Sequence, residues 1–239
     1  MKTGLILGLI VAIAIPVAYA DIVTVNSSSA VTFLPNGTST TTDFPSAFTA
    51  ANFTSAQTGA NAAVLTSTPF YTTAASLTTA GAQWIGTSAG GGNGSTPGYT
   101  ALYAISFNIP DAFVSGALTL NYEVDNVLGD LNPGVYLNGT ALPGSTNNTG
   151  CSPTCFSGLQ TYTDSSVTAD LVQGKNWLYI DAVNLGEEGG LIFSANISTV
   201  NSTAPVPEPS SVILVSIALL GMAFVARKRI ARRDTRTHS

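Results

Sequence analysis

The amino-acid sequence predicts an all-β protein whose body is an antiparallel β-sandwich or jelly roll. Between residues 21 and 201 there is no long segment with the period of an amphipathic helix. Short runs rich in β-branched and aromatic residues recur there instead, separated by Gly, Asn, Pro and Asp. Many short strands with such turns between them are typical of sandwiches and barrels. A signal helix at the N-terminus and a short transmembrane helix at the C-terminus are expected to flank this body.

Residues 1–20 have the three parts of a secretory signal peptide. Lys2 supplies the positive charge, an apolar run covers residues 5–15, and Pro16 precedes the small residues Ala18 and Ala20. A transmembrane anchor is the alternative, but the run is short and the Ala-x-Ala pattern is that of a cleavage site. We therefore expect cleavage after Ala20 and export of the mature chain.

The body, 21–201, divides into a Ser/Thr-rich part at 21–80 and a part with clearer strands at 81–201. The first part holds 15 Thr and 8 Ser, a composition that also suits a disordered stalk. Six large aromatic residues favour an ordered part of the sandwich, because a solvated stalk does not need them. They are Phe33, Phe44, Phe48, Phe53, Phe70 and Tyr71.

Seven segments of the body are expected to be strands. The best defined is 118–124, where apolar residues alternate with polar ones, as in a strand with one buried face. Segment 135–137 runs into Asn138-Gly139, a dipeptide that favours the turn of a tight hairpin. The other expected strands are 22–25, 31–34, 103–109, 177–183 and 191–200.

Charge is segregated along the chain, and this excludes several functions. Between Asp21 and Ala204, Lys175 is the only base against eleven acidic residues, a net charge of −10. Such a body repels phosphate backbones, so no nucleic-acid partner is expected. The only histidine, His238, is next to the C-terminus. The body therefore cannot use Ser-His-Asp or Cys-His catalysis or histidine-ligated zinc.

The order of motifs in the second part of the body points to a known class of module. Segment 103–110 is followed by 117–120 leading to Asp125-Asn126, then by 135–139, and finally by 174–180 and Asn184. From Trp84 to Val200 this order resembles galactose-binding-like β-sandwiches, the accessory modules found beside many glycosidases. The resemblance implies a carbohydrate- or matrix-binding body, but it names no ligand, because many such modules are structural.

One turn contains candidate ligands for calcium. Asp125, Asn126 and Asp130, with the carbonyl groups of 127–129, offer the hard oxygen ligands that calcium prefers. The spacing is not that of an EF-hand, and Asp-Asn-x-x-Gly-Asp is also ordinary turn chemistry that needs no metal. A turn is therefore the favoured interpretation, and calcium, the only candidate cofactor, is the alternative.

Cys151 and Cys155, the only cysteines, are expected to form a disulfide, because an exported protein meets an oxidising environment. The loop between them is short, so this disulfide would act as a local clip rather than a major source of stability.

Four aromatic residues are candidates for stacking against a sugar: Trp84, Trp177, Tyr99 and Tyr162. Trp177 lies in an expected strand and is assigned to core or inter-sheet packing. Trp84 is the better candidate for an exposed, ligand-binding ring.

The C-terminal region has three parts in a distinctive order. A linker at 202–211 contains Pro207-Glu208-Pro209, an apolar segment follows at 212–226, and Arg227, Lys228 and Arg229 open a basic tail at 227–239. This order resembles the PEP-CTERM sorting signal of Gram-negative bacteria that make exopolysaccharide. The resemblance implies processing by an exosortase-like enzyme. A GPI signal would not carry the basic extension, whereas a plain single-pass anchor shares the same topology.

The apolar segment is short for a membrane span. Fifteen helical residues cover about 22 Å, less than the roughly 30 Å of hydrocarbon, although arginine side chains can extend that reach. Basic residues on its C-terminal side predict that the tail lies in the cytoplasm. The helix would then anchor the chain transiently in the inner membrane.

These features together predict an exported protein of the cell surface, outer envelope or extracellular matrix. Its body is expected to bind or reinforce the extracellular polysaccharide of a biofilm without catalysis. One alternative is a purely structural or adhesive protein with no small ligand. A less favoured alternative is a glycoside hydrolase that uses Glu123, Glu187 or Glu188.

Overall fold

Two antiparallel β-sheets pack against each other, as the sequence predicts. The computed structural model describes residues 19–36, 42–65, 74–89, 98–147, 158–186, 188–201, 216–223 and 227. Ala20–Ser202 form one compact unit, which contains both sheets. All strands of the Ser/Thr-rich part belong to these sheets, so its described residues are an ordered part of the sandwich.

Sheet I is built around two long strands. β7 (Phe113–Asp125) lies beside β13 (Gly190–Asn201), and Val124 is paired with Leu191 near one end of both. The first strand, β1 (Ala20–Asn26), pairs with the other edge of β13. The remaining strands of the sheet are β4 (Ala63–Val64), β5 (Ile85–Gly86) and β11 (Gln160–Asp164).

Sheet II is built around β6 (Ala101–Ile109) and β12 (Gly174–Val183), which pair over all of β6 and all but the last residue of β12. Around them lie β2 (Thr32–Pro35), β3 (Ala60–Asn61), β8 (Val127–Leu128), β9 (Val135–Leu137) and β10 (Thr140–Ala141). Asn138 and Gly139 form the turn between β9 and β10 with φ angles of 51° and 88°. The expected Asn-Gly hairpin is therefore confirmed, since such turns need positive φ at both positions.

The main core lies between the two sheets and follows the predicted alternation. Leu118, Leu120, Tyr122 and Val124 of β7 are all buried in it. Every second residue of the other long strands joins them, because successive side chains of a strand point to opposite faces. These residues are Tyr103, Phe107, Ile109, Leu178, Ile180, Ala182, Leu191, Phe193, Ala195 and Ile197.

Two short helices cover the outer faces of the sheets, and the sequence pattern did not indicate them. α1 (Ala50–Gln57) begins with a capping box between Thr49 and Asn52. Its Phe53 packs on Tyr136 and Tyr179, which lie on the outer face of sheet II. α2 (Ala75–Thr79) contributes to a separate apolar cluster on sheet I. A 3-10 helix spans Val167–Asp170.

The strand ends define two opposite ends of the sandwich. β2, β7 and β12 finish at one end, where β6 and β13 begin. We call this the loop end; its connections are named by their bounds as loops 36–49, 87–100, 125–134 (which contains the short strand β8) and 184–189. Residues 37–41, 90–97 and 187 of these connections lie outside the described residues. Ala20 pairs with Val200 at the other end, where Asn201 also bonds to Asp21. The chain therefore enters and leaves the sandwich at the end opposite the loop end.

Met1–Tyr19 and Thr203–Ser239 form the second unit. Of the predicted span at 212–226 the structure describes residues 216–223, which are helical. In the described part of the chain, no helix combines the length and apolarity needed to cross a bilayer.

Candidate functional site

The loop end is held together by side chains that bond to the backbone of neighbouring loops. Asn184 is completely buried there, directly after β12. Its Nδ2 donates to the Gly98 carbonyl at 2.7 Å, and its Oδ1 accepts the Gly186 N–H at 2.9 Å. The Asn184 N–H donates to Thr100 Oγ1 at 3.0 Å. Loops 87–100 and 184–189 are therefore fixed to each other.

Glycine is needed where these two loops cross. A Cβ on Gly98 would lie 2.5 Å from Gly189 Cα and 2.6 Å from Gly189 N. Carbon atoms at that distance overlap, and the obstacle is backbone, which cannot rotate away. The close approach of the two loops therefore depends on both positions having no side chain.

Loop 125–134 joins the same network through the predicted turn. The peptide bond between Asp125 and Asn126 is cis. Asn126 Oδ1 accepts the Leu185 N–H at 2.6 Å, and the Asn126 N–H donates to the Val183 carbonyl at 3.0 Å. The Asn126 side-chain oxygen, which the sequence suggests as a calcium ligand, therefore accepts a hydrogen bond that connects two loops. Asp125 is buried and Asp130 is half-buried.

In the described ranges no three Asp, Glu, His or Cys side chains are grouped so that they could hold a metal ion. Asp130 acts electrostatically on Asp181 of β12. Calcium bound by Asp125, Asn126 and Asp130 together therefore stays a prediction.

The solvent-facing part of the loop end combines apolar and polar groups. Tyr99 is half-buried, and its N–H donates to Thr87 Oγ1 at 3.1 Å. Leu185 is 48% exposed, and Glu188 is half-buried in the same loop. An aromatic ring, an exposed apolar side chain and nearby hydrogen-bonding groups are the combination that sugar-sized ligands need.

The structure corrects the expectation of an exposed Trp84, and it places the packing of Trp177 on one sheet rather than between the two. Trp84 is only 6% exposed and packs with Leu77 and Ile192 in the cluster on sheet I, so its ring is covered. Trp177 lies on the outer face of sheet II rather than between the sheets, where it stacks on Tyr179. Lys175 Nζ lies 4.6 Å from the centre of its ring. Burial of Trp84 could not be read from its local sequence, because the covering residues are distant in the chain.

The acidic residues considered for hydrolysis have different environments. Glu123 is 1% exposed on β7, opposite Ile192. Glu188 is half-buried in loop 184–189, and Glu187 lies outside the described residues.

Several predicted site residues also lie outside the described ranges. They are Ala18, Cys151, Cys155, Pro207, Glu208, Pro209, Lys228 and Arg229. Two others are described: Ala20 is the exposed first residue of β1, and Arg227 is exposed and helical.

Two buried acids at the loop end were missed by the sequence reasoning. Asp181 is completely buried in β12, and Asp43 is 3% exposed in loop 36–49. The signal for Asp181 is its position inside the apolar run 178–183, where a charged residue is rare without a partner. Asp43 carries no comparable signal.

Comparisons with known proteins give one sequence match and a distant structural similarity. The chain is similar in structure to a family 35 carbohydrate binding module from Clostridium thermocellum, at 10% identity and a TM-score of 0.35. That similarity covers 73% of this chain and 97% of the module. It is also similar to CBM35 from Paenibacillus barcinonensis, at 19% identity and a TM-score of 0.30, covering 76% and 99%.

No curated protein matches the chain in sequence. The PEP-CTERM protein-sorting motif, however, matches residues 205–229, which include the Pro-Glu-Pro sequence, the apolar segment and the first basic residues. At its C-terminal end, as the sequence predicts, the chain carries the PEP-CTERM protein-sorting motif.

Proposed function

We propose that the protein is a non-catalytic carbohydrate- or matrix-binding protein of the cell surface, and that its loop end contacts the polymer. The sorting motif marks an exported, envelope-associated protein, and this observation carries the proposal. The body supports it with a β-sandwich whose loop end presents Tyr99, Leu185 and Glu188.

The positions of the chain ends favour this use of the loop end. Residue 201 leaves the sandwich at the end opposite the loops, and the sorting motif follows at 205–229. A body held through its C-terminus therefore keeps its attachment point away from the proposed contact surface. Polymer could reach the loops without passing the attachment point.

Processing and anchoring form the second part of the proposal. The signal peptide is removed after Ala20, 212–226 holds the chain in the inner membrane with 227–239 in the cytoplasm, and an exosortase-like enzyme then acts at the sorting motif. The exposed position of Ala20 at the start of β1 supports this, because β1 keeps six of its seven residues after cleavage. The mass of the mature protein recovered from cells tests both cleavages and the Cys151–Cys155 disulfide.

Binding is tested with the purified full-length protein in detergent and exopolysaccharide from the producing cells, by affinity electrophoresis. Tyr99→Ala and Leu185→Ala are expected to weaken retardation at least several-fold. Val172→Ala is the matched control, because Val172 is 52% exposed but lies beside the start of β12, at the other end. Equal retardation of all variants would remove the loop end from the proposal.

The same experiment separates the alternatives. A purely structural or adhesive protein would show no retardation by any polysaccharide. A hydrolase would release reducing ends from the polymer, and this activity would be lost in Glu123→Gln or Glu188→Gln.

A further inference from the structure

Asp43 and Asp181 bring two carboxyl groups together in the interior of the loop end. Asp181 lies in β12 two residues after Tyr179, on the outer face of sheet II. It is completely buried, and Asp43 is 3% exposed. Burial is the largest cause that raises the pKa of the Tyr136 phenol, and the charges of Asp181 and Asp43 raise it further. The tyrosine therefore lies near the same pair.

Asp43 is held in place as a hydrogen-bond acceptor. Its Oδ1 accepts the Phe44 N–H at 2.6 Å, and its Oδ2 accepts the N–H groups of Leu131 and Asn132 at 2.7 and 2.9 Å. Asn132 Nδ2 adds a longer contact at 3.4 Å. Three backbone donors therefore fix the position of the Asp43 carboxyl group between its own loop and loop 125–134.

Asp181 has no such donors. Neither of its carboxylate oxygens accepts a hydrogen bond from any residue that the structure describes. Asp43 lies close enough to act on its carboxyl group through both hydrogen bonding and charge, and Asp130 also acts on it electrostatically. Two carboxylates can bond to each other only through a shared proton or a cation, because both are acceptors.

The body cannot supply the missing positive charge. Lys175 is the only base between Asp21 and Ala204. It lies six residues before Asp181 on the same strand, about 20 Å away at the rise of a β-strand. Burial, followed by Asp43 and Asp130, raises the pKa of the Asp181 carboxyl group. The buried pair therefore requires either a proton or an ion taken from solution.

We propose that a divalent cation of the calcium class binds between the carboxylates of Asp43 and Asp181, beneath loop 125–134. Carboxylate oxygens are the ligands that calcium prefers, and backbone carbonyl groups and water complete its shell in many sites. The site differs from the predicted one, because its carboxylates come from Asp43 and Asp181 and not from Asp125 and Asp130. It would join loop 36–49, loop 125–134 and β12, and so stiffen the loop end.

The test uses the purified full-length protein in detergent at pH 7, stripped of metal with EDTA and then titrated with calcium. Saturating calcium is expected to release or absorb heat in calorimetry and to raise the melting temperature of the wild type by about 5–10 °C. Asp181→Asn should remove both effects without lowering the melting temperature in EDTA, because the amide carries no buried charge. Asp111→Asn is the matched control, since Asp111 is an exposed acid in the β6–β7 connection at the opposite end, and it should respond as the wild type does.

Two results would overturn the proposal. If the wild type shows neither heat nor a melting shift, the pair shares a proton instead. If Asp125→Asn, and not Asp181→Asn, abolishes the response, the ion belongs to the turn at 125–130.

Hydrogen exchange in the wild type gives a reading that needs no variant. The Leu131 and Asn132 amides should exchange more slowly with calcium, and an unchanged rate would contradict the site.

Discussion

Asn184 Nδ2 donates to the Gly98 carbonyl at 2.7 Å, and this bond connects the chain leaving β12 to the chain entering β6. Asn184 is completely buried, so water cannot replace this bond if it is lost. Since Tyr99 directly follows Gly98 and Leu185 directly follows Asn184, the same bond sets the spacing of the proposed contact residues.

Asn184→Ala is therefore expected to weaken both stability and binding. The change leaves the Gly98 carbonyl and the Gly186 N–H without their partner, at a cost of about 1–3 kcal/mol in the free energy of unfolding. Urea denaturation measures this cost. Asn108→Ala, at an exposed position of β6, should stay within about 0.5 kcal/mol of the wild type. Equal effects of the two changes would contradict the role of Asn184.

Gly98→Ala should destabilise the protein by about 1–3 kcal/mol, the usual cost of overpacking a close contact. The new methyl group would overlap the backbone of Gly189, and relief requires the two loops to separate. Gly158→Ala is the control, because no heavy atom of the residues that the structure describes lies within 4 Å of its added Cβ and its φ is not positive. A thermal melt of the three proteins checks the difference, and a neutral Gly98→Ala would show that the loops do not meet as described.

How far the sequence predicts the fold depends on whether a signal is local. The alternation in 118–124 and the Asn138-Gly139 turn are local, and both are confirmed, since side-chain period and turn chemistry act over a few residues. α1 has no comparable apolar stripe; it is held by Phe53 against tyrosines of sheet II. Packing of that kind comes from distant segments and leaves no periodic signal.

The residues of the candidate site also divide into those with a local sequence signal and those without one. Asp125-Asn126 and Asn184 could be identified as turn residues from their neighbours in sequence. Asp43 could not, because its partners Leu131 and Asn132 are almost ninety residues away. The burial of Trp84 is equally non-local, since Ile192 belongs to the last strand of the sandwich.

Trp84→Ala is expected to destabilise the fold by about 3–5 kcal/mol, as for a large core residue, and not to act through ligand contact. Trp84→Phe keeps much of the buried volume and should lose less. Urea denaturation gives both values, and affinity electrophoresis under native conditions should show the binding of the Phe variant unchanged. An exposed, ligand-binding Trp84 would give the opposite pattern: little loss of stability and clear loss of binding.

Asn176 is expected to be among the most sensitive polar residues of the body. It is completely buried, its Nδ2 donates to the carbonyls of Val172 and Gly174, and its Oδ1 accepts the Val172 N–H. Asn176→Asp has nearly the same shape but cannot donate and buries a charge, so a loss of about 2–4 kcal/mol is expected at pH 7. Asp170→Asn, at a half-buried position nearby, tests whether any Asp/Asn exchange in this region is as costly. A loss below about 1 kcal/mol for Asn176→Asp, measured by urea denaturation, would contradict this account.

The buried tyrosines predict that stability falls in alkaline solution. Burial raises the pKa of Tyr103, Tyr122, Tyr136 and Tyr179 above 10.0. Burial, with Asp164 adding to it, raises the pKa of Tyr162 to about 12. Between pH 10 and 12 the native protein therefore holds protons that the unfolded chain has lost, so the free energy of unfolding decreases as pH rises through this range.

The phenolate absorbance at 295 nm, recorded beside urea denaturation at pH 8, 10 and 11.5, checks this prediction. Native protein should develop the absorbance later than urea-unfolded protein. Tyr162→Phe should flatten the alkaline loss of stability, because it removes one of the raised groups, and it also removes the bond to the Pro143 carbonyl at 3.0 Å. Its stability at pH 8 should thus be lower by about 1 kcal/mol while its dependence on pH is weaker. Identical titration of folded and unfolded protein near pH 10 would mean that these phenols are in contact with water.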